Sequence, residues 1–311
     1  MLSVRAYTAA DAPLWDSLVE ASRNGNLLHR RGYMDYHGAR FDDASLLVED
    51  ARTPVAVFPA NRDGDAVTSH AGLSYAGLVS THALRATATL EAFERIAAHY
   101  RGAGVRTLLY KAVPHLFHRS PAEEDLYALH RLGAHLYRRD LSSAVPLRAP
   151  LRFAAARKRS VAKARRAGLR VQRVDDPAPL HALLGEVLQR HDARPTHSLD
   201  ELRLLCARFP MQIVPYEVRD GAELLAATLV YDFGHVVHTQ YLACSEQGRR
   251  ADALSLLLAE LIEQVYAQRE FLNLGISTEQ QGQVLNAGLV EQKERFGARA
   301  IVHDFYRWEL Q

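Results

Sequence analysis

The chain has 311 residues, of which 48% are hydrophobic, so it can bury a large core and is long enough for two domains. Its formal net charge of +2 excludes the general basic field of a non-specific nucleic-acid binder. The two cysteines, Cys206 and Cys244, form no CxxC motif, which argues against a cysteine-rich zinc site and favours a reducing compartment.

Targeting signals are the next feature. The N-terminal sequence carries Arg5, Asp11 and Asp16 and has no uninterrupted apolar segment, so it is not a signal peptide. No segment approaches the roughly 18 apolar residues of a transmembrane helix. We therefore expect a cytoplasmic protein without a membrane span.

The first half of the chain alternates short strands with helices. A strand at 4–7 is followed by a helix for which Asp11 is the expected N-cap. Two apolar runs around a charged turn then predict a hairpin over 44–61. A helix at 88–101, a strand at 107–113 and a helix-then-strand segment at 127–145 complete a first αβ unit.

The second half repeats this order. A basic helix over 152–168 ends at Gly168, and a strand, helices at 179–191 and 199–206, and a three-strand meander follow it. A long helix is predicted over 251–268, then a strand at 271–277, and a last helix and strand over 285–306. A proline-containing segment between Ser143 and Leu151 separates the halves, so the predicted domains are 1–146 and 147–311.

This order of elements resembles the GNAT acyltransferase superfamily. The segment KERFG at 293–297, preceded by LGISTEQQGQVLNAGL, is similar to the FemAB/FemX-like branch, and so are NLLHRRGYMDYHGARFDDASLL, PAN and SHAGLSYAGL in the first half. The resemblance implies an α/β (α+β) fold with two tandem GNAT-like domains, each a mixed, mainly antiparallel sheet flanked by helices. It also implies an N-terminal domain on the acceptor side and a C-terminal domain that binds the donor and carries the catalysis.

The implied reaction is acyl transfer to an amine. The donor is acyl-CoA in ordinary GNAT enzymes and aminoacyl-tRNA in FemX-like ligases. Two positions depart from the GNAT pattern. The sequence EQGRRADA stands where a glycine-containing loop cradles the pyrophosphate of CoA, and Gln292 stands where many GNAT enzymes carry a tyrosine as general acid.

Lys293 is the first catalytic candidate. By its match to the lysine of KxxFG, it would stabilise charge at the reaction centre, with Phe296 and Gly297 fixing the adjacent turn. The alternative is an exposed helix lysine. His197 and Glu279 are candidate general bases, although His197 also fits a packed loop in which Ser198 caps the next helix.

Donor-binding candidates come from five places. Arg159, Lys163 and Arg166 share one face of the basic helix, which can bind phosphate or can be a solvated surface. Strand alternation sends Gln240 and Tyr241 to opposite faces of the sheet. The remaining candidates follow strands or lie in the altered loop and the KxxFG segment: Arg249, Arg250, Ser277, Phe296 and Gly297.

The acceptor is expected to bind residues of the first half, where glycines let a ligand approach the backbone. The candidates are Tyr33, Tyr36, His37, Ser69, His70 and Tyr75. No histidine or carboxylate spacing predicts a metal site, and no permanently bound cofactor is expected.

Three functions remain open. The first is transfer from acyl-CoA to the amine of an amino sugar, nucleotide sugar or amino-acid derivative. The second is aminoacyl-tRNA-dependent transfer to a cell-wall or peptide precursor, with tRNA as partner. The third is a non-catalytic module that binds acyl-CoA or a nucleotide. The sequence leaves the oligomeric state open.

Overall fold

A computed structural model describes residues 2–190 and 192–310 of the chain. Within them the helices are α1 (Ala12–Ala21), α2 (Arg31–Met34), α3 (Ala86–Gly102), α4 (Glu124–Arg131), α5 (Ala155–Arg166), α6 (Ala178–Gln189), α7 (Leu199–Arg208), α8 (Glu246–Arg250), α9 (Ala253–Glu260) and α10 (Ala287–Glu294). Short 3₁₀ turns lie at Ala9–Asp11, Leu27–His29, Asp35–Arg40 and His115–Phe117.

The strands follow in the same chain order. They are β1 (Leu2–Ala6), β2 (Asp42–Asp43), β3 (Leu46–Asp50), β4 (Thr53–Phe58), β5 (Asn61–Asp63), β6 (Ala66–Thr68), β7 (Val79–Ser80), β8 (Thr107–Lys111), β9 (His135–Pro146), β10 (Val171–Arg173), β11 (Ile213–Asp220), β12 (Glu223–Asp232), β13 (Val236–Cys244), β14 (Phe271–Ile276), β15 (Thr278–Glu279), β16 (Val284–Leu285) and β17 (Arg299–Glu309).

Most elements predicted from the sequence are confirmed, and two details are wrong. The helix predicted over 251–268 is interrupted, because Asp252 has a left-handed backbone (φ 59°) and α9 begins only after it, while a π-helical turn at Leu261–Val265 ends it. Asp11 makes no cap hydrogen bond to α1, since its carboxylate binds Arg5 and Thr8 instead. The last predicted residue of the helix at 179–191, His191, lies outside the described residues.

The chain divides into two compact units. Unit 1 contains the residues up to Asp140, 280–282 and those from Val302 onward, and unit 2 contains 141–279 and 283–301. The division therefore falls after Asp140 rather than after residue 146. It also assigns most of β17 to unit 1, whereas the sequence analysis assigned the final strand to the second domain.

Unit 1 contains two groups of strands. One is an antiparallel sheet in the order β1-β3-β4-β7. In the other, β8 pairs antiparallel with β17 and parallel with β6, and β5 and β2 follow. Phe58, Phe93 and Tyr110 are fully buried and their rings pack together, with Phe93 supplied by α3. Aromatic burial of this kind is the main stabilisation of the core.

Unit 2 contains a sheet in the order β10-β11-β12-β13-β14, with the end of β9 beside β14. Its neighbouring strands are antiparallel except β13 and β14, which are parallel. That parallel pairing covers only Val236–His238 against Phe271–Asn273, so the two strands stop pairing halfway along β13. Helices α5 and α9 cover the core of this unit through Val161, Ala164 and Leu257.

Among the described residues, no helix has the length and apolar character needed to cross a membrane.

Candidate active site

Lys293 is buried in unit 2, with only 6% of its surface exposed. Its Nζ donates to the carbonyl oxygens of Gly275 (2.7 Å) and Ile276 (2.8 Å) and to Ser277 Oγ (2.8 Å). An ammonium has three N–H donors, and all three are occupied at the end of β14. The alternative of an exposed helix lysine is therefore wrong.

Burial lowers the pKa of Lys293 to about 8. Burial makes the charged ammonium less favourable than it is in water, yet at pH 7 most Lys293 side chains remain protonated. Ser277 is 1% exposed and accepts from Lys293, so its own hydroxyl proton points elsewhere. The arrangement fixes a positive charge and an oriented hydroxyl at one strand end.

The rest of the KERFG segment holds Lys293 in place. Phe296 is 1% exposed and packs edge-on against Phe153 and beneath the guanidinium of Arg157. Gly297 has φ 85°, and the N–H of Ala298 donates back to the carbonyl of Lys293 (3.3 Å). This is the reversed turn that ends many helices, and it favours glycine. Phe296 and Gly297 thus lie in the core and turn beside the lysine.

Gly297→Ala is expected to destabilise the protein by roughly 1–3 kcal/mol. Its backbone is left-handed, and an added Cβ would lie 2.8 Å from the Leu151 carbonyl oxygen. Gly288→Ala, in the preceding helix α10, is the control, because its Cβ meets only Asn286 Oδ1 at 3.8 Å and alanine favours helix by about 0.5–1 kcal/mol. Urea unfolding measures both, and equal midpoints for the two variants would contradict the prediction.

A hydrogen-bonded row crosses β13 and β14 where they stop pairing. His238 Nδ1 lies 2.7 Å from Asn273 Oδ1, which also accepts from the Gly275 N–H (3.0 Å). Asn273 Nδ2 donates to Ser142 Oγ (2.9 Å) and to the Ser143 carbonyl (3.4 Å). Sequence analysis missed Asn273 and Ser142, because only the pairing of β14 with β9 brings them together.

A β-bulge in β13 changes the predicted orientation of Gln240. Its neighbours Thr239 and Tyr241 pair with consecutive residues of β12, so Gln240 is the extra residue. Strict alternation is broken at a bulge. The Gln240 side chain interacts with both His238 and Tyr241, whereas the sequence predicted opposite faces for Gln240 and Tyr241.

His197 is 5% exposed and joins this row through Tyr241. Its Nδ1 lies 2.5 Å from the Tyr241 hydroxyl, and burial raises the pKa of Tyr241. The predicted Ser198 cap of α7 is confirmed, since Ser198 Oγ accepts from the Glu201 N–H. Glu279, the other candidate base, is exposed and accepts from Asn286 Nδ2 (2.8 Å).

A cavity of about 370 Å³ lies in unit 2. Leu242 and Cys244, from the half of β13 that does not pair with β14, line one part of it, and Gln292, which precedes Lys293, lines another. Its cations are Arg157 and Arg249. Of these, Arg249 was predicted, whereas Arg157 was not singled out as a donor residue. Arg157 also donates to Ser255 Oγ (2.8 Å) in the first turn of α9.

The predicted basic face of α5 is divided. Lys163 donates to the Arg250 carbonyl (2.7 Å) and to the Asp252 carboxylate (3.1 Å). Its ammonium is therefore bound at the junction of α8 and α9. Arg159 and Arg166 are exposed and form no ion pair with any described residue. The Arg250 side chain pairs with Glu246 at 2.6 Å. The structure therefore does not gather these cations into one cluster.

The acceptor candidates lie in unit 1, and all but Tyr36 are buried. Three ring contacts connect Tyr33, Tyr36, His37 and His70, with centroids 5.4, 4.0 and 5.3 Å apart in that order. Ser69 and Tyr75 are used internally, since Ser69 Oγ accepts from the Lys111 N–H and the Tyr75 hydroxyl accepts from Asn26. Burial lowers the pKa of His70 to about 3, so it is neutral at pH 7.

Comparison with known proteins gives the class. Residues 151–280 match the family described as acetyltransferase (GNAT) domain. FemX is similar over 99% of this chain and 97% of its own, with 11% identity and a TM-score of 0.70. L-PGS from Bacillus licheniformis is similar over 99% and 93%, with 12% identity and a TM-score of 0.64.

A tandem GNAT protein from the clavulanic acid biosynthesis pathway is similar over 100% of this chain and 99% of its own, with 13% identity and a TM-score of 0.55. No curated protein sequence matches the chain significantly. The acetyltransferase (GNAT) match at 151–280 supports a transferase. Over its full length the chain has a fold similar to those of FemX and the tandem GNAT protein, which confirms the predicted tandem GNAT-like fold.

Proposed function

We propose that the chain transfers an aminoacyl group from the ester of a charged tRNA to the amine of a small polar acceptor. The observation that carries this proposal is the junction of α8 and α9 beside the cavity. Asp252 occupies the position before α9 with a left-handed backbone, and its carboxylate lines the cavity. The site therefore presents a carboxylate, paired with Lys163 at 3.1 Å, where a CoA-binding GNAT domain presents free N–H groups.

Charge favours the ester donor. A carboxylate at a helix start repels a pyrophosphate, which is otherwise stabilised there by the helix dipole and N–H groups. The same carboxylate accepts hydrogen bonds from ribose hydroxyls, which surround the ester of a terminal adenosine. Arg157 and Arg249 line the cavity and could bind a single phosphate of the tRNA backbone. The fold shared with FemX supports this choice.

Acyl-CoA is the second candidate donor. The matched family is an acetyltransferase domain. Two arginines at one cavity also suit the phosphates of CoA. In either case Lys293 supplies positive charge for the developing oxyanion and the leaving group.

The acceptor is proposed to be an amino sugar, a nucleotide sugar or an amino-acid derivative such as a cell-wall precursor. Unit 1 is its proposed binding side, through the row from Tyr33 to His70. An aromatic row of this kind can stack on a sugar or a base.

Donor choice is tested by titration and product formation with acetyl-CoA and, separately, with charged tRNA. We expect saturable binding and amide formation with charged tRNA. Asp252→Asn is expected to weaken that binding and to strengthen the binding of CoA, because it removes the negative charge. Turnover with acetyl-CoA and no response to charged tRNA would contradict the proposal.

A further inference from the structure

The hydrogen bonds of Asn273 fix the protonation of the His238 ring. Asn273 Nδ2 donates to Ser142 and Ser143, so Oδ1 is the amide's acceptor, and it already accepts from the Gly275 N–H. His238 Nδ1, at 2.7 Å from Oδ1, must therefore carry the proton. The lone pair of the neutral ring is left on Nε2, as in histidines held by one defined partner.

His238 lies at the point where β13 and β14 stop pairing. His238 is partly exposed, whereas its partner Asn273 is fully buried. Gly275 has no side chain, and the position of a Cβ there would be 3.7 Å from His238 Cε1, the carbon between the two ring nitrogens. That edge of the ring is therefore left uncovered by Gly275. Gln240, in the bulge, also interacts with the ring.

The charges around His238 keep it neutral. Its partner is an amide rather than a carboxylate, and the described ionisable group that acts on it is Lys293 of α10, which is positive. Burial first, and this charge second, lower the pKa of His238 to about 4. A ring of this kind is a weak base for a free ammonium, and its protonated form is a strong acid.

We propose that His238 is the proton shuttle of the transfer, taking a proton at Nε2 from the attacking nitrogen and giving it to the leaving oxygen. This inference rests on the proposed function. The acceptor ammonium first loses one proton to water. The neutral amine then attacks the ester carbonyl, so the C–N bond forms and the C=O electron pair moves to oxygen, next to the charge of Lys293.

The second half of the step returns the proton. The nitrogen, now bound to four groups and far more acidic than a free ammonium, transfers its proton to His238 Nε2. The oxyanion re-forms C=O, the ester C–O bond breaks, and His238 protonates the leaving ribose oxygen. Amide, free hydroxyl and neutral His238 result, and the only net proton released is the first.

The test compares two donors of one amino acid, a charged tRNA and a p-nitrophenyl ester, whose leaving group needs no proton. His238→Gln keeps a donor toward Asn273 and cannot carry a proton. We expect its kcat with charged tRNA to fall about 100-fold with little change in KM, and its kcat with the p-nitrophenyl ester to fall less than about 10-fold. Asn273→Ala is expected to give the same pattern more weakly, and His82→Ala, an exposed histidine of unit 1, to give neither loss.

Equal losses with both donors would overturn the shuttle and leave His238 a structural residue, and unchanged kcat would overturn it as well. If His238→Gln does not fold, Asn273→Ala carries the same comparison of donors. Wild-type turnover tests the proposed function, and the ratio of variant to wild-type turnover tests His238. A failure of the proposed function can therefore be distinguished from a failure of the proposed role of His238.

Discussion

Lys293→Met is expected to lower kcat by at least about 100-fold while the protein stays folded. The substitution removes a buried positive charge whose three N–H groups bind Gly275, Ile276 and Ser277. Because all three donors are already used, we expect Lys293 to act through its charge rather than through a new hydrogen bond to the leaving group. The free energy of unfolding should change by less than about 2 kcal/mol, since the lost bonds are offset by the relieved burial of charge.

The controls separate charge from local structure. Lys158→Met removes an exposed lysine from α5 and should keep kcat. Ser277→Ala removes the hydroxyl that accepts from Lys293 and keeps the charge, so its loss of kcat should be smaller than that of Lys293→Met. Steady-state kinetics with circular dichroism measure all three variants. A folded Lys293→Met protein with wild-type kcat would disprove the electrostatic role.

The pH dependence gives a second readout of the same charge. The pKa of Lys293 is about 8 in the folded protein, below the ordinary 10.5. Between pH 8 and pH 10.5 this lysine binds more protons in the unfolded state than in the folded state. The free energy of unfolding therefore rises as pH increases through this range and decreases again as pH falls toward 8. Lys293→Met should flatten this rise. Activity should move in the opposite direction, falling above about pH 8 as the ammonium deprotonates.

The position of Lys293 could be predicted from sequence because local signals define it. The KxxFG segment has a helix before it and a glycine that needs a left-handed backbone, and both are local properties. Its burial could not be predicted in the same way. The acceptors of its hydrogen bonds are carbonyls of β14, which follow no side-chain pattern.

Gln240 and Asn273 show why the rest of the site escaped prediction. Gln240 was assigned a face by alternation, but a bulge depends on the register of β13 against β12, which only the folded sheet determines. Asn273 appears as a polar residue in an apolar strand, and its partners, Ser142 and His238, come from two other strands. The local signal for this part of the site is a polar amide, Asn273, within an otherwise apolar strand.

For α5 the predicted helix face is correct, but an ion pair with a distant residue was missed. Arg159, Lys163 and Arg166 do share a helix face by spacing, yet Lys163 pairs with Asp252 across 89 residues of sequence. Helical periodicity reports which side chains are neighbours and says nothing of a carboxylate from another element. Five of the six acceptor candidates are buried, and Ser69 and Tyr75 form internal hydrogen bonds, while their role in binding the acceptor stays a prediction.

Gly248→Ala is expected to destabilise the protein by about 3 kcal/mol and to raise the KM for the donor. A Cβ at this position would lie 1.9 Å from the carbonyl oxygen of Leu225 in β12 and 2.7 Å from its carbon, so α8 would have to move away from the sheet. The same carbonyl accepts from the Ser245 N–H at 2.9 Å, and that bond would be disturbed as well. Because Gly248 also lines the cavity, the movement should reach the donor site.

Gly185→Ala is the matched control, since it also lies in a helix and its Cβ would meet no atom within 4 Å. It should be neutral or stabilising by up to about 1 kcal/mol. Urea unfolding and donor kinetics measure both variants, and a Gly248→Ala protein with the wild-type midpoint would refute the prediction. The glycine of EQGRRADA is thus required by the close approach of α8 to β12. A glycine at this place in the sequence is therefore insufficient evidence for a pyrophosphate loop, and the proposal of a tRNA donor rests on Asp252, four residues later.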